Sequence, residues 1–162
     1  MQNEKQIDDK YIKRIEMQRN RNRALFKCAV NWIEVFVNGS CIAEYFEKRG
    51  YNRIAIYGVS DLGKLLCKAL ENKDIKIEYF VDQAADLNRL CCGVPVYLPE
   101  EAPKLQSVDV IVVTPVFYFN DICRTLLMFD PALSIVSLNS VIDECLGEIW
   151  YEKQCENAPS FK

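Results

Sequence analysis

The 162-residue chain contains no histidine, no Cys-x-x-Cys pair and no Tyr-x-x-x-Lys pair. Without histidine the commonest general base is missing, and a zinc site would need thiolates and carboxylates from scattered positions. The longest apolar stretches, such as residues 108–119, are too short and too interrupted to span a bilayer. The charged segment 4–27 has no apolar core of a secretory signal. We therefore expect no catalytic set, no membrane span and a cytoplasmic location.

The net charge is also small, at −3, so the chain as a whole has no general electrostatic attraction to nucleic acid. The basic cluster Arg19–Arg23 is typical of a solvated helix face, although a phosphate or nucleic-acid contact is an alternative. Most of the eight cysteines fall inside apolar periodic patterns, which indicates buried reduced thiols. Cys91 and Cys92 instead sit in a predicted loop, where a reactive thiol is an alternative.

Residues 1–50 predict an N-terminal helical arm of two helices. Residues 1–9 are polar and are expected to fray, and helical periodicity runs over 10–37. Because residues 18–23 lack large apolar side chains, a break or an exposed bridge is expected there. Gly39 is expected to end the first helix, and Ser40 to cap a second that Gly50 ends. Trp32 and Phe36 need a partner surface, which suggests a homodimer through these helices.

Residues 51–150 alternate short apolar runs with amphipathic helical patterns, which is typical of βαβ units. The fold class predicted is therefore α/β, a Rossmann-like doubly wound parallel sheet of five strands in the order 3-2-1-4-5. The strands are expected at 54–57, 75–81, 93–97, 108–113 and 133–138. A last helix, capped by Asn139 or Ser140, is followed by a polar tail over 151–162.

In this fold a ligand crevice lies at the carboxyl ends of strands one and four. The first strand leads into the turn Gly58-Val59-Ser60-Asp61-Leu62-Gly63. This turn follows the dinucleotide pattern G-x-G-x-x-G with serine at the middle glycine. Ser60 and Asp61 are therefore either helix-capping residues or ligand contacts, and the helix start favours an anion.

Other candidates follow the neighbouring strands. Asp82 lies about 20 residues after the turn, where a carboxylate contacts ribose hydroxyls or shapes a turn. Gln83 follows it, while Thr114 and Pro115 end the fourth strand and either line the crevice or only pack. Tyr118, the loop 90–93 and residues 139–140 are expected to meet at the same crevice.

Four runs of sequence carry a family resemblance: I-A-I-Y-G-x-S-x-L-G-K-L-L, I-E-Y-F-V-D, G-V-P-V-Y-x-P-E-E and V-D-V-I-V-V-T-P. Over about residues 40–146 the chain resembles a Rossmann-like nucleotide-binding domain of bacterial surface-polysaccharide clusters. Similar modules form the N-terminal domain of sugar acyltransferases and of nucleotide-sugar epimerases or dehydratases. The resemblance implies a nucleotide or nucleotide-sugar ligand at Gly58, Ser60, Asp61, Leu62 and Asp82. The catalytic domains of those relatives have no counterpart in this sequence.

The hypothesis favoured is a nucleotide- or nucleotide-sugar-binding module of capsule or exopolysaccharide biosynthesis, without catalysis of its own. The ligand is a small molecule, with a nucleotide-sugar or NAD(P) as candidates and no nucleic acid partner. Two alternatives stay open. One is an interaction module that oligomerises through the N-terminal helices, and the other is a small NAD-linked oxidoreductase-like domain.

Overall fold

A computed structural model describes residues 2–85 and 90–156. Five α-helices and six strands alternate along most of the chain. The helices are α1 (Gln2–Val37), α2 (Ala43–Arg49), α3 (Asp61–Ala69), α4 (Phe119–Phe129) and α5 (Leu138–Glu156). The strands are β1 (Arg53–Tyr57), β2 (Lys76–Val81), β3 (Leu90–Cys91), β4 (Val94–Tyr97), β5 (Val110–Val113) and β6 (Ile135–Ser137). Two short 3₁₀ helices, Ala102–Lys104 and Val116–Tyr118, precede β5 and α4.

The strands form one six-stranded sheet in the order β3-β4-β2-β1-β5-β6. The architecture is α/β and compatible with a Rossmann-like fold. The predicted count of five strands and order 3-2-1-4-5 are wrong, because the sheet has a sixth strand, β3, at its edge. The pairs among β4, β2, β1, β5 and β6 are parallel, whereas β3 pairs antiparallel with β4 at the sheet edge. A two-residue turn at Cys92 and Gly93, both with positive φ, reverses the chain between them.

The two faces of the sheet bury separate apolar clusters, because alternate residues of each strand point to opposite faces. On one face, Ile54, Ile56 and Val112 pack with residues of α1, α2, α3 and α5. On the other, Tyr57 and Val113 pack with Ile122 and Leu126 of α4. The sheet is therefore covered on both sides, as expected for parallel strands.

Helix α1 is continuous, so a break at 18–23 is wrong, while the alternative of an exposed bridge is confirmed because residues 18–23 are helical and exposed. Residues 2–9, which were expected to fray, are also helical, and Met1 lies outside the described residues. Arginine and glutamine have good helix propensity, which keeps the apolar-poor segment helical. Residues 25–35 pack on the body through Cys28, Trp32 and Val35, and α1 also contacts the 3₁₀ helix after β5. Residues 9–23 are all exposed and continue past that carboxyl edge of the sheet.

Several helix ends also differ from expectation. Ile42, not Ser40, stands at the N-cap of α2, while Ser40 Oγ bonds Glu44 at 3.1 Å. At α5 the capping oxygen is Ser137 Oγ, which accepts from Ser140 N at 3.0 Å, in place of Asn139 or Ser140. Helix α5 continues to Glu156, into the predicted tail, and 157–162 lie outside the described residues. Over the described part of the chain, no helix combines the length and apolarity needed to cross a membrane.

Candidate functional site

The turn between β1 and α3 is closed by two glycines. Gly58 has φ +105°, and a Cβ there would lie 2.7 Å from Pro115 Cδ and 2.8 Å from Thr114 Oγ1. A Cβ on Gly63 would overlap the carbonyl oxygen of Gly58. The first glycine thus allows the turn and the last allows α3 to pack on β1, the roles that such glycines have in dinucleotide-binding folds.

Ser60 occupies the position of the missing middle glycine and serves as the N-cap of α3. Its backbone is extended, and Oγ accepts a hydrogen bond from Gly63 N at 3.3 Å. Oγ also lies 3.2 Å from Thr114 Oγ1. The fully buried Thr114 donates in turn to the Tyr57 carbonyl at 3.0 Å. Ser60 and Thr114 therefore hold β1, α3 and β5 together, which supports the capping interpretation of Ser60.

Asp82 joins the end of β2 to this turn. Its Oδ2 accepts from Val59 N at 2.7 Å, and its Oδ1 accepts from Ala84 N at 2.8 Å. The strand-two acid and the glycine turn are thus adjacent on one sheet edge. Both carboxylate oxygens have backbone partners, which supports the turn-forming interpretation, although each oxygen has a second lone pair for a ligand.

The first turn of α3 leaves donors at this edge. Among the described residues no acceptor is found for the backbone N–H of Asp61 or Leu62, as is usual at a helix start. The Asp61 side chain is exposed, whereas Val59 and Leu62 are half-buried and pack against the α1 side of the core. The corner is therefore filled on the inside and open only along its outer N–H groups.

An open cleft of about 380 Å³ lies beside the corner, on the α4 side of the sheet edge. Its size is typical of small-molecule sites. Asp82 and Pro115 connect it to the glycine turn. Its described lining consists of Tyr57, Asp82, Gln83, Pro115, Tyr118, Asp121, Ile122 and Thr125. Two carboxylates, an amide and three hydroxyls face this space, with no lysine or arginine among these residues.

Tyr57, which sequence analysis did not identify as a site residue, ends β1 and points its ring into this region. The side chain is 4% exposed, and among the described residues its hydroxyl has no hydrogen-bond partner. Burial raises the pKa of Tyr57, as does the nearby Asp82 charge; Gln83, close by without meeting hydrogen-bond geometry, partly opposes this. The phenol therefore stays protonated and keeps an unused donor, which is costly in a buried group.

Not every predicted site residue reaches the cleft. Gln83 and Pro115 do, and Tyr118 lies there as well. Residues 90–93 do not, because the β3–β4 turn carries them to the amino end of β4. Residues 139–140 start α5 at the same edge without lining the cleft. Asp121, Ile122 and Thr125 were missed; their i, i+4 spacing on α4 is the signal that places them on one face.

None of the thiols that the structure describes lines the cleft. Seven of them are free: Cys28, Cys41, Cys67, Cys91, Cys92, Cys123 and Cys145. Burial raises the pKa of Cys28 and of Cys145 to about 11. Cys91 and Cys92 have sulfurs 3.9 Å apart near Cys67, and only Cys92 of these is exposed. Within 2–85 and 90–156 no group of three potential ligands could hold a metal ion.

Scanned against protein-family models, the chain matches none, and a search of curated proteins finds no match.

Proposed function

We propose that the chain is a binding module for a nucleotide or nucleotide-sugar, held at the carboxyl edge of the sheet. The observation that carries the proposal is the buried Tyr57 hydroxyl, which has no hydrogen-bond partner in the part of the chain that the structure describes and lies beside a cleft of about 380 Å³. A buried donor without an acceptor is rare in folded proteins. A ligand hydroxyl or carbonyl in the cleft would supply that acceptor after a small movement of the side chains.

The two parts of the edge suit different parts of such a ligand. The free N–H groups at the start of α3 favour an anionic group such as a phosphate. The cleft favours uncharged hydroxyls, because Asp82 and Asp121 would repel a phosphate. Arg124, outside the lining, pairs with Asp121 at 3.3 Å, but both side chains are largely exposed and such a pair is weak. A ribose or a sugar ring therefore belongs in the cleft, with its phosphate toward Asp61 and Leu62.

The proposal assigns no reaction to the site. The chain has no histidine, and the polar groups of the cleft are suited to hold hydroxyls. The place of the module in capsule or exopolysaccharide biosynthesis rests on the resemblance of the four sequence runs named above. A nucleotide-sugar is the ligand that this setting and the two-part edge favour together, with NAD(P) as the alternative.

The test is a thermal-unfolding panel of UDP, UDP-sugars, NAD⁺, NADP⁺ and S-adenosylmethionine, followed by titration calorimetry of each ligand that raises Tm. A ligand at one hundred times its Kd should add about 2.7 kcal/mol of stability. For a chain of this size that is a Tm increase of about 5–10 °C. If none of these compounds moves the transition, the proposal fails.

Two glutamine variants test whether the ligand binds in the cleft. Gln83→Ala removes an exposed amide of the cleft and should weaken binding about fivefold. Gln106→Ala removes an exposed amide at the opposite edge and should leave binding unchanged. Equal losses in both variants would place the ligand elsewhere.

A further inference from the structure

Helix α1 carries an apolar stripe on the face that points away from its own body. The exposed side-chain fractions are 72% for Phe26, 43% for Val30, 61% for Ile33 and 74% for Val37. Their 4-3-4 spacing puts them on one side of the helix. The body-facing residues Cys28, Trp32 and Val35 are displaced by two positions, about 200° around the axis. The stripe is therefore a second apolar face, separate from the one that packs on the sheet.

The spacing is that of a coiled-coil seam, in which two helices interlock through alternating steps of three and four residues. We propose that α1 pairs with α1 of a second copy of this chain, in antiparallel orientation. The central layers join Phe26 of one copy to Val37 of the other, and Val30 to Ile33. Each copy then keeps its body on the outer side of the pair.

The charges flanking the stripe favour the antiparallel orientation. Lys27 and Glu34 are seven residues apart and follow Phe26 and Ile33 on the same side of the seam. In an antiparallel pair, equivalent flanking positions of the two helices face each other, so Lys27 of each copy approaches Glu34 of the other. The seam is thus complementary to itself in this orientation.

The charge of residues 10–23, the projecting part of α1, disfavours the parallel orientation. Residues 10–23 carry six lysines and arginines against one glutamate, a charge of +5. A parallel pair would align two such segments over about 21 Å, at a rise of 1.5 Å per residue. An antiparallel pair sends them in opposite directions, each toward the other copy. Residues outside 10–27 have a net charge of −9, since 10–27 hold +6 and the whole chain −3.

Residues 9–23 form a helix although every one of them is exposed in the single chain. An isolated helical segment of that length is marginal in water without packing. In the antiparallel pair each of these segments continues past the stripe of the other copy, so that the two basic segments lie at opposite ends of the pair.

The experiment is light scattering and sedimentation equilibrium of the full chain from 1 to 100 μM. We expect a dimer, and a shift of at least 100-fold toward monomer for Ile33→Asp. The matched control is Met128→Asp on α4, where an apolar side chain still more exposed than Ile33 should be replaceable without effect on association. Far-UV dichroism and the Tm of each variant confirm that the fold persists.

A charge exchange tests the orientation. Lys27→Glu alone and Glu34→Lys alone should each weaken association a few-fold, and the double variant should restore it, because the pair is re-formed with its charges reversed. A wild-type chain that stays monomeric throughout the range overturns the proposal. So does a dimer that Ile33→Asp leaves intact, a double variant without recovery, or a monomer that floats with phosphatidylserine vesicles through the same stripe.

Discussion

The glycine corner and the adjoining cleft lie at the same edge of the sheet, yet they differ in one polar group. At the corner, Ser60, Thr114 and Asp82 all bond to the protein itself. In the cleft, the Tyr57 hydroxyl is buried and has no partner among the described residues. The residues that look like a nucleotide fingerprint are thus satisfied by the fold, and the unused donor lies where no fingerprint residue stands.

The corner and the cleft contribute differently to fold stability and to ligand binding. A corner whose hydrogen bonds are complete stabilises the fold and presents only its outer N–H groups to a ligand. A cleft with an unused donor contributes less to stability and more to binding. Substitutions of residues that close the corner, Asp82 among them, should therefore change the free energy of unfolding. Substitutions of cleft residues without bonds to the fold should change affinity alone.

The largest effect is expected for Gly63→Ala. Because the new Cβ would overlap the Gly58 carbonyl, α3 must move off β1, at a cost of about 3 kcal/mol or more. Urea unfolding monitored by circular dichroism measures this loss in the free energy of unfolding. Gly147→Ala is the control, since nothing lies within 4 Å of that position in α5 and alanine should stabilise the helix by about 0.5–1 kcal/mol. A Gly63→Ala chain as stable as wild type would show that the corner is not closed.

Asp82→Ala should come next, at about 2–3 kcal/mol, because the N–H groups of Val59 and Ala84 both lose a charged acceptor. Asp82→Asn keeps one acceptor oxygen and should lose about half as much. Unfolding in urea at constant pH compares the two. If Asp82→Ala is neutral for stability but abolishes ligand binding, the carboxylate serves as a ligand contact and does not hold the corner together.

The position of the corner and the roles of its glycines were predictable from sequence. A positive φ and a close approach of two backbone segments both require glycine at particular positions within one short turn. The capping role of Ser60 was one of two alternatives, since a sequence does not show whether Oγ bonds Gly63 or a ligand. The α/β class followed from apolar runs such as Ile54–Tyr57. Strand β3 did not follow, because two residues carry no periodicity and the turn depends on a cysteine with φ +53°.

The cleft was only partly predictable for a different reason. Asp82, Gln83 and Pro115 follow strands and could be placed at an edge. Tyr57 could not be singled out, because a tyrosine in an apolar strand is expected to be a core residue. Its missing partner is a property of three elements packed together, and no pattern within β1 encodes it.

Ser60→Ala should destabilise the chain by about 1 kcal/mol, the usual effect of removing an N-cap. Thr114 would keep its bond to the Tyr57 carbonyl, which limits the loss. The exposed Ser107 at the opposite edge provides the control, with no change expected for Ser107→Ala. Thermal unfolding of both variants measures the difference. A loss at Ser60 no larger than at Ser107 would mean that the cap contributes nothing.

Tyr57→Phe should have the smallest effect on stability, within about 0.5 kcal/mol of wild type, because no described residue bonds the hydroxyl that is removed and desolvating it was unfavourable. The same change should weaken the ligand found in the panel about fivefold, as expected for one hydrogen bond. Tyr79→Phe is the matched control, since Tyr79 is equally buried on the same face but lies toward the opposite edge. A loss of 2 kcal/mol in Tyr57→Phe would show that the fold itself uses the hydroxyl. Unchanged affinity would remove the cleft from the ligand site and leave the outer N–H groups of α3 as its remaining support.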